Sequence, residues 1–217
     1  MFGEFIQTLA GDTRRGENRI RGVTLATVVS NMDLSGQGRV QIKLPSMPNY
    51  QPWARVAMLS AGSERGTYFI PQEGEEVLVA FNQGDLKDAY VIGVLWNGRD
   101  KPPFRGPMDP VQKRAIRTPQ GHEVLFDDME QSVVVKTSTG QKITMKPESI
   151  EVAAGDAAKI KLETSGSVTI EASTRIELKA PSIKLDASSS LDLKASVVGT
   201  FDGGANCTVK GNMVFIN

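Results

Sequence analysis

Residues 165–196 read SGSVTIEASTRIELKAPSIKLDASSSLDLKAS, and within them one small unit recurs four times: Val168-Thr-Ile170, Ile176-Glu-Leu178, Ile183-Lys-Leu185 and Leu191-Asp-Leu193. Two apolar residues flank one polar residue, charges follow, and Ser, Ala or Pro stands at the joints. The same unit occurs before and after this stretch, at Ile143/Met145, Ile150/Val152, Ile160/Leu162, Cys207/Val209 and Val214/Ile216. First members step by 7, 10, 8, 8, 7, 8, 16 and 7 residues, a beat close to eight with one double step. Alternation within each unit has period two, so the apolar pair shares one face of a strand and Lys161, Glu177, Lys184 and Asp192 share the other. A helix is excluded, because apolar pairs at this spacing would scatter around its axis.

One such unit makes one short strand and one corner. A single chain cannot close a wide β-helix with two medium-sized apolar groups per rung, so the core has to be narrow. Three copies about a common axis meet that condition: each contributes one strand per layer, and six apolar side chains fill the centre. At roughly 1.5–3 kcal/mol per buried side chain, each layer gains on the order of 10 kcal/mol before entropy. A lone chain would leave the stripe and its strand edges in water. The expected trimer core is therefore Ile143, Met145, Ile150, Val152, Ile160, Leu162, Val168, Ile170, Ile176, Leu178, Ile183, Leu185, Leu191, Leu193, Cys207, Val209, Val214 and Ile216. Residues 197–206, VVGTFDGGAN, break the beat and read either as a tapered section or as an irregular loop.

Upstream, the pattern is of another kind. From Arg19, the segments RGVTLATVVSN, GRVQIKLP, WARVAMLS, YFIP, EEVLVAFNQ and DAYVIGVLWNG are short, β-branched or aromatic, and bounded by Gly, Pro, Asp and Asn. Five or six such strands in some 80 residues predict a small antiparallel barrel. Residues 100–117, DKPPFRGPMDPVQKRAIR, hold four prolines and read as a connector. Three further strands are expected after it. The reading divides the chain into an arm at 1–18, a barrel domain at 19–99, a connector at 100–117, neck strands at 118–142 and the repeat at 143–217. The arm carries Phe2, Phe5 and Ile6; it is either a mobile segment or an apolar hook for a partner.

Bulk composition narrows the function. The 217 residues carry 25 basic and 25 acidic side chains, without the cationic surplus that nucleic-acid binding demands. Aromatics are 6% of the chain, too few for a base-stacking platform. The lone Cys207 allows no intramolecular disulfide. No signal-peptide pattern opens the chain, and no apolar run is long enough to span a bilayer; synthesis in the cytoplasm without a secretory leader is expected. His122 is the only histidine, so neither a catalytic triad nor a one-chain metal site can be drawn around it, and it reads as a turn residue beside Gly121. Glu75-Glu76 and Asp127-Asp128 are adjacent carboxylates that point to opposite faces of a strand and cannot work as a pair. Trp53 and Trp96 are expected to pack in the barrel or at its mouth. No catalytic residue, metal or cofactor is assigned.

GRVQIKLP at 38–45, WARV at 53–56, AGSERG at 61–66, PQEGEEVLVAFNQGDLKDAYVIGVLWNG at 71–98 and Pro102-Pro103 together resemble the oligonucleotide/oligosaccharide-binding (OB) barrel of baseplate spike proteins. That family includes phage baseplate assembly protein V, the spikes of contractile injection systems and the VgrG proteins of type VI secretion. GHEVLFDD at 121–128 resembles the start of the family's spike, and the octads resemble its triple-stranded β-helix. Ala89 stands where family members often have Pro. The resemblance implies an all-β chain with an OB barrel followed by an intertwined trimeric β-prism. It implies a non-enzymatic homotrimeric spike in the baseplate of an injection particle or virion, contacting the target membrane only on puncturing. The implied partners are a trimeric hub, docked through Phe2, Phe5 and Ile6; a PAAR-type tip protein seated on Phe215, Ile216 and Asn217; and inner-tube and baseplate proteins. Two other readings compete: an OB module for single-stranded nucleic acid or glycan on a trimerising stalk, and a filament-forming β-helix protein.

Overall fold

The computed structural model describes residues 20 and 22–215. The chain divides into two compact units, the first ending at Val135 and the second beginning at Lys136.

In the first unit, β1 (Val23–Ser30), β2 (Val40–Lys43), β3 (Trp53–Val56), β6 (Glu76–Phe81) and β7 (Ala89–Leu95) close into a barrel in the order β1-β2-β3-β7-β6. All its pairings are antiparallel except that of β3 with β7. Register shifts between Val28 and Ser30 and between Leu78 and Val79 supply the bulges that bend the sheet toward closure. Alternation in sequence decides what is inside: Val77, Val79 and Phe81 of β6 are buried, while Glu76, Leu78 and Ala80 between them are half-buried. Ile42, Leu44, Val28, Val40, Val77, Val79 and Val91 are the largest fully buried side chains, an almost wholly aliphatic core. Closure leaves this sheet no free edge.

Between β3 and β6 the chain makes a two-residue ladder, β4 (Ala61–Gly62) with β5 (Arg65–Gly66), where the sequence predicts only a loop. Gly66 is required there: its φ is +142°, and a Cβ would sit 2.3 Å from the Ser60 carbonyl oxygen. The strand predicted at YFIP does not form. Ile70 packs against the core, whereas Tyr68 and Phe69 are exposed at 80% and 59%. Pro71, without an N–H to donate, follows directly.

The β1–β2 loop is built around Asp33. Its carboxylate accepts hydrogen bonds from the backbone N–H groups of Ser35, Gln37 and Arg39, from the Ser35 hydroxyl, and from the Arg39 guanidinium at 3.0 and 3.1 Å. Those bonds, Arg39's first, hold the Asp33 carboxyl well below the usual carboxylate range. Arg39 in turn lies 5.6 Å from the centroid of the half-buried Trp53 ring. The other tryptophan departs from expectation: Trp96, just past β7, is 69% exposed.

The stretch read as a connector is more structured than its prolines predict. Asp109–Gln112 forms a single helical turn, and Lys113–Arg117 is a strand, β8. It pairs antiparallel with β9 (Glu123–Asp127), and β10 (Ser132–Lys136) follows. The last proline of this stretch is Pro110, so every N–H from Val111 to Arg117 is available to a ladder. Opposite Arg117 in register, Glu123 is 3% exposed and ion-paired to it at 2.5 Å.

In the second unit, β11 (Gln141–Met145), β12 (Ser149–Ala154), β13 (Ala158–Glu163) and β14 (Val168–Ala172) pair antiparallel in sequence order. No strand follows Ala172 among the described residues, and positions 173–215 are exposed throughout.

Candidate functional site

The register of the second unit turns the repeat into a surface. Ile143 faces Val152, Val152 faces Ile160, and Ile160 faces Ile170. Beside this column runs a second one: Met145, Ile150, Leu162 and Val168. Four consecutive φ-x-φ units thus stack without slippage into two adjoining apolar columns on one face. A one-residue slip would send every one of these side chains to the opposite face.

Among the described residues that face stays uncovered. Its eight residues are between 38% (Met145) and 64% (Val168) exposed. The opposite, charged face is the better covered one: along β12 and β13 the half-buried positions are Ser149, Glu151, Ala153, Lys159, Lys161 and Glu163. Here Lys159 pairs with Glu171 at 2.9 Å, and Lys161 with Glu163 at 2.6 Å. The latter hydrogen bond raises the Lys161 pKa and lowers that of Glu163. A contiguous apolar surface more exposed than the charged face behind it marks a protein contact.

The remaining expected core residues in the described part are also open: Ile176, Leu178, Ile183, Leu185, Leu191 and Leu193 lie between 53% and 67% exposed, Val209 at 74% and Val214 at 51%. Cys207, read as a small core residue, is exposed in the single chain. Phe215 is 83% exposed. Phe2, Phe5, Ile6, Ile216 and Asn217 lie outside the described residues.

The sequence reading placed no strand at 113–117 and singled out none of the exposed apolar residues of β8–β10. Ile116 on β8 and Phe126 on β9 are 52% and 45% exposed, and Ile116 faces Val124 across the ladder. Val135 on β10 is 40% exposed. In Lys113-Arg114-Ala115-Ile116-Arg117 only Ile116 is large and apolar, and the prolines before it obscure the strand.

The polar candidates resolve into turn chemistry. His122 is exposed and donates its backbone N–H to Thr118 Oγ1 at 3.1 Å. Asp127 accepts the N–H groups of Met129 and Glu130, and Glu75 accepts that of Gln72. Among the described residues no group of three His, Cys, Asp or Glu side chains is placed to hold a metal ion. No helix there is long and apolar enough to cross a membrane.

Comparison with known proteins agrees with this geometry. Residues 24–96 match a family model described as the type VI secretion system/phage-baseplate injector OB domain, and residues 113–174 match the phage baseplate V C-terminal trimerisation domain. The barrel thus corresponds to the injector OB domain, and strands β8–β14 to the trimerisation domain. The chain belongs to the baseplate spike family of phage baseplate protein V and the VgrG proteins. Over 125 residues it is 31% identical to the type VI secretion system spike protein VgrG3 of Vibrio cholerae, and over 124 residues 27% identical to VgrG2a of Pseudomonas aeruginosa. It is also 33% identical over 125 residues to the actin cross-linking toxin VgrG1 of Vibrio cholerae. Each alignment takes in 51% of this chain but only 12%, 15% and 11%, respectively, of those longer proteins. The second family match begins at β8 and ends just after β14.

Proposed function

We propose that the protein is the homotrimeric central spike of the baseplate of a contractile injection system, with a mechanical and not a catalytic role. The observation that carries this reading is the pair of apolar columns on β11–β14. They are locked in register by four strands and left half in water by the single chain. Three copies turning these faces to a common axis would bury Ile143, Met145, Ile150, Val152, Ile160, Leu162, Val168 and Ile170 together. Continuing the same beat, Ile176, Leu178, Ile183, Leu185, Leu191, Leu193, Cys207, Val209, Val214 and Ile216 would extend the core. The charged faces would then point outward and keep the assembly soluble.

A narrow prism held by backbone ladders and a dry core is stiff along its axis. In this role it transmits the thrust of sheath contraction to the target envelope, while its threefold axis gives the baseplate an assembly centre. The barrel is assigned to a trimeric hub at the end of the inner tube, with Phe2, Phe5 and Ile6 contributing to docking. The opposite end, Phe215 to Asn217, is assigned to a separate tip protein of the PAAR type. The scarcity of aromatics and the balanced charge argue against a nucleic-acid-binding barrel.

The test is assembly. Ile160→Asp with Leu162→Asp places six carboxylates in one stretch of the proposed core. The double variant is expected to be monomeric by sedimentation and to fail to co-purify with the hub protein, whereas the unmodified chain is a trimer that does. A variant that still forms the trimer would overturn the assignment of this face to the core.

A further inference from the structure

Residues 96–112 separate the last barrel strand, β7, from β8. A free chain of that length would hold its ends about 20–25 Å apart on average, with wide fluctuation. Here side chains fasten the stretch at two places. The first clamp is on the barrel. The Asn97 side-chain carbonyl accepts the N–H groups of Arg99 and Asp100 at 2.9 and 2.8 Å, and its amide donates to Glu76 of β6 at 3.3 Å. The turn is closed by the Asn97 N–H, which donates to the Asp100 carbonyl at 2.8 Å. It aims Arg99 at the loop before β6, where the guanidinium donates to the Gly74 carbonyl at 2.6 Å and pairs with the Asp100 carboxylate at 2.9 Å. Gly74 in turn donates its N–H to Val28 of β1 at 2.8 Å, so this turn is tied to two barrel strands.

The second clamp is on β8. Lys113 and Arg117 lie an even number of steps apart on the strand and share one face. The half-buried Phe104 ring lies against both, its centroid 5.3 Å from Lys113 Nζ and 5.6 Å from the Arg117 guanidinium carbon. Each cation is also paired: Lys113 with Asp109 at 2.7 Å, and Arg117 with the buried Glu123. Asp109 accepts the Gly106 N–H at 2.5 Å as well, which fixes the chain between Phe104 and the helical turn. Singly such contacts are weak, but these share partners in one network. Between the two clamps stand Lys101, Pro102 and Pro103. Each proline fixes its own φ and restricts the residue before it, so at about 3.1 Å per residue this span is short and stiff.

We infer that residues 97–117 form a rigid coupling with Phe104 as its strap: while the ring stays between Lys113 and Arg117, the barrel does not turn independently of β8. The coupling lies inside one chain and does not depend on the trimeric reading. In a spike seated by its barrel, it passes thrust and torque into β8 without a slack segment. Phe104 is a positioning residue here; it acts by holding the connector against two cations of the strand that the connector leads into.

The experiment uses the full-length chain carrying Cys207→Ser and Lys43→Cys, with a dye on that exposed β2 position, and follows time-resolved fluorescence anisotropy. The parent is expected to show only the slow rotation of the whole particle. Phe104→Ala is expected to add a barrel rotation at least ~3-fold faster. The same variant should be cut by trypsin between Arg105 and Gly106 at least ~10-fold faster, because local opening exposes the bond. Phe104→Tyr keeps the ring and should match the parent in both measurements. Should Phe104→Ala also lower the barrel's circular dichroism, Arg99→Gln, which opens the barrel clamp alone, is read in its place by anisotropy. A parent barrel that already rotates on its own overturns the coupling, and so does a folded Phe104→Ala variant that matches the parent in either measurement. Chain mass, monomer or trimer, decides the trimeric reading and leaves this result unaffected.

Discussion

The barrel and the sheet of β11–β14 use the same code, strands with alternating apolar and polar residues, and reach opposite results. In the barrel the apolar face of β6 comes to 0% exposure at Val77 and Val79, inside one chain. In β12 the apolar face stays at 43% and 42% at Ile150 and Val152. The code selects a face; what covers that face depends on closure. Bulges at Val28/Ser30 and Leu78/Val79 and a parallel β3–β7 pairing let five strands meet edge to edge around their own side chains. Strands β11–β14 are each joined to the next by a reversal, their registers show no bulge, and their apolar residues remain available to another copy.

Mutations that separate the two regions should do so in a definite order. The largest effect is that of Ile160→Asp with Leu162→Asp: loss of the trimer, with the barrel's circular dichroism and melting retained. Next comes Ile42→Ala in the barrel core, which should lower barrel stability by about 2–5 kcal/mol in denaturant titration without changing stoichiometry. A smaller effect is expected for Asp33→Asn. The Asp33 pKa is depressed in the folded barrel, so its contribution is fully present above the unfolded-state value of about 3.9 and is lost as pH falls through the acid range. The unmodified barrel should therefore weaken below about pH 4, whereas the variant is weaker at neutral pH and flatter in its acid profile. The smallest effect is that of Lys159→Ala. Both partners of its ion pair with Glu171 are about half exposed, and removal should cost below about 1 kcal/mol and leave assembly unchanged.

Much of this was legible in the sequence because period-two alternation survives any context. It located β1, β2, β3, β6 and β7 to within a few residues, and it placed the φ-x-φ pairs of β11–β14 on one face. Three things escaped it. Tyr68 and Phe69 have strand-forming side chains, but Pro71 and the β4–β5 hairpin leave that segment without a ladder. Strand β8 hid behind four prolines, and with it the exposed Ile116. The end of the strands at Ala172 among the described residues could not be read from hydrophobicity at all, because the beat does not change there.

The most direct measurement is the mass of the full-length protein in dilute solution, by light scattering or native mass spectrometry. The account predicts one discrete species at three times the 23.5 kDa chain mass, unchanged on further dilution. A species at 23.5 kDa, or an open-ended distribution of sizes, would contradict it.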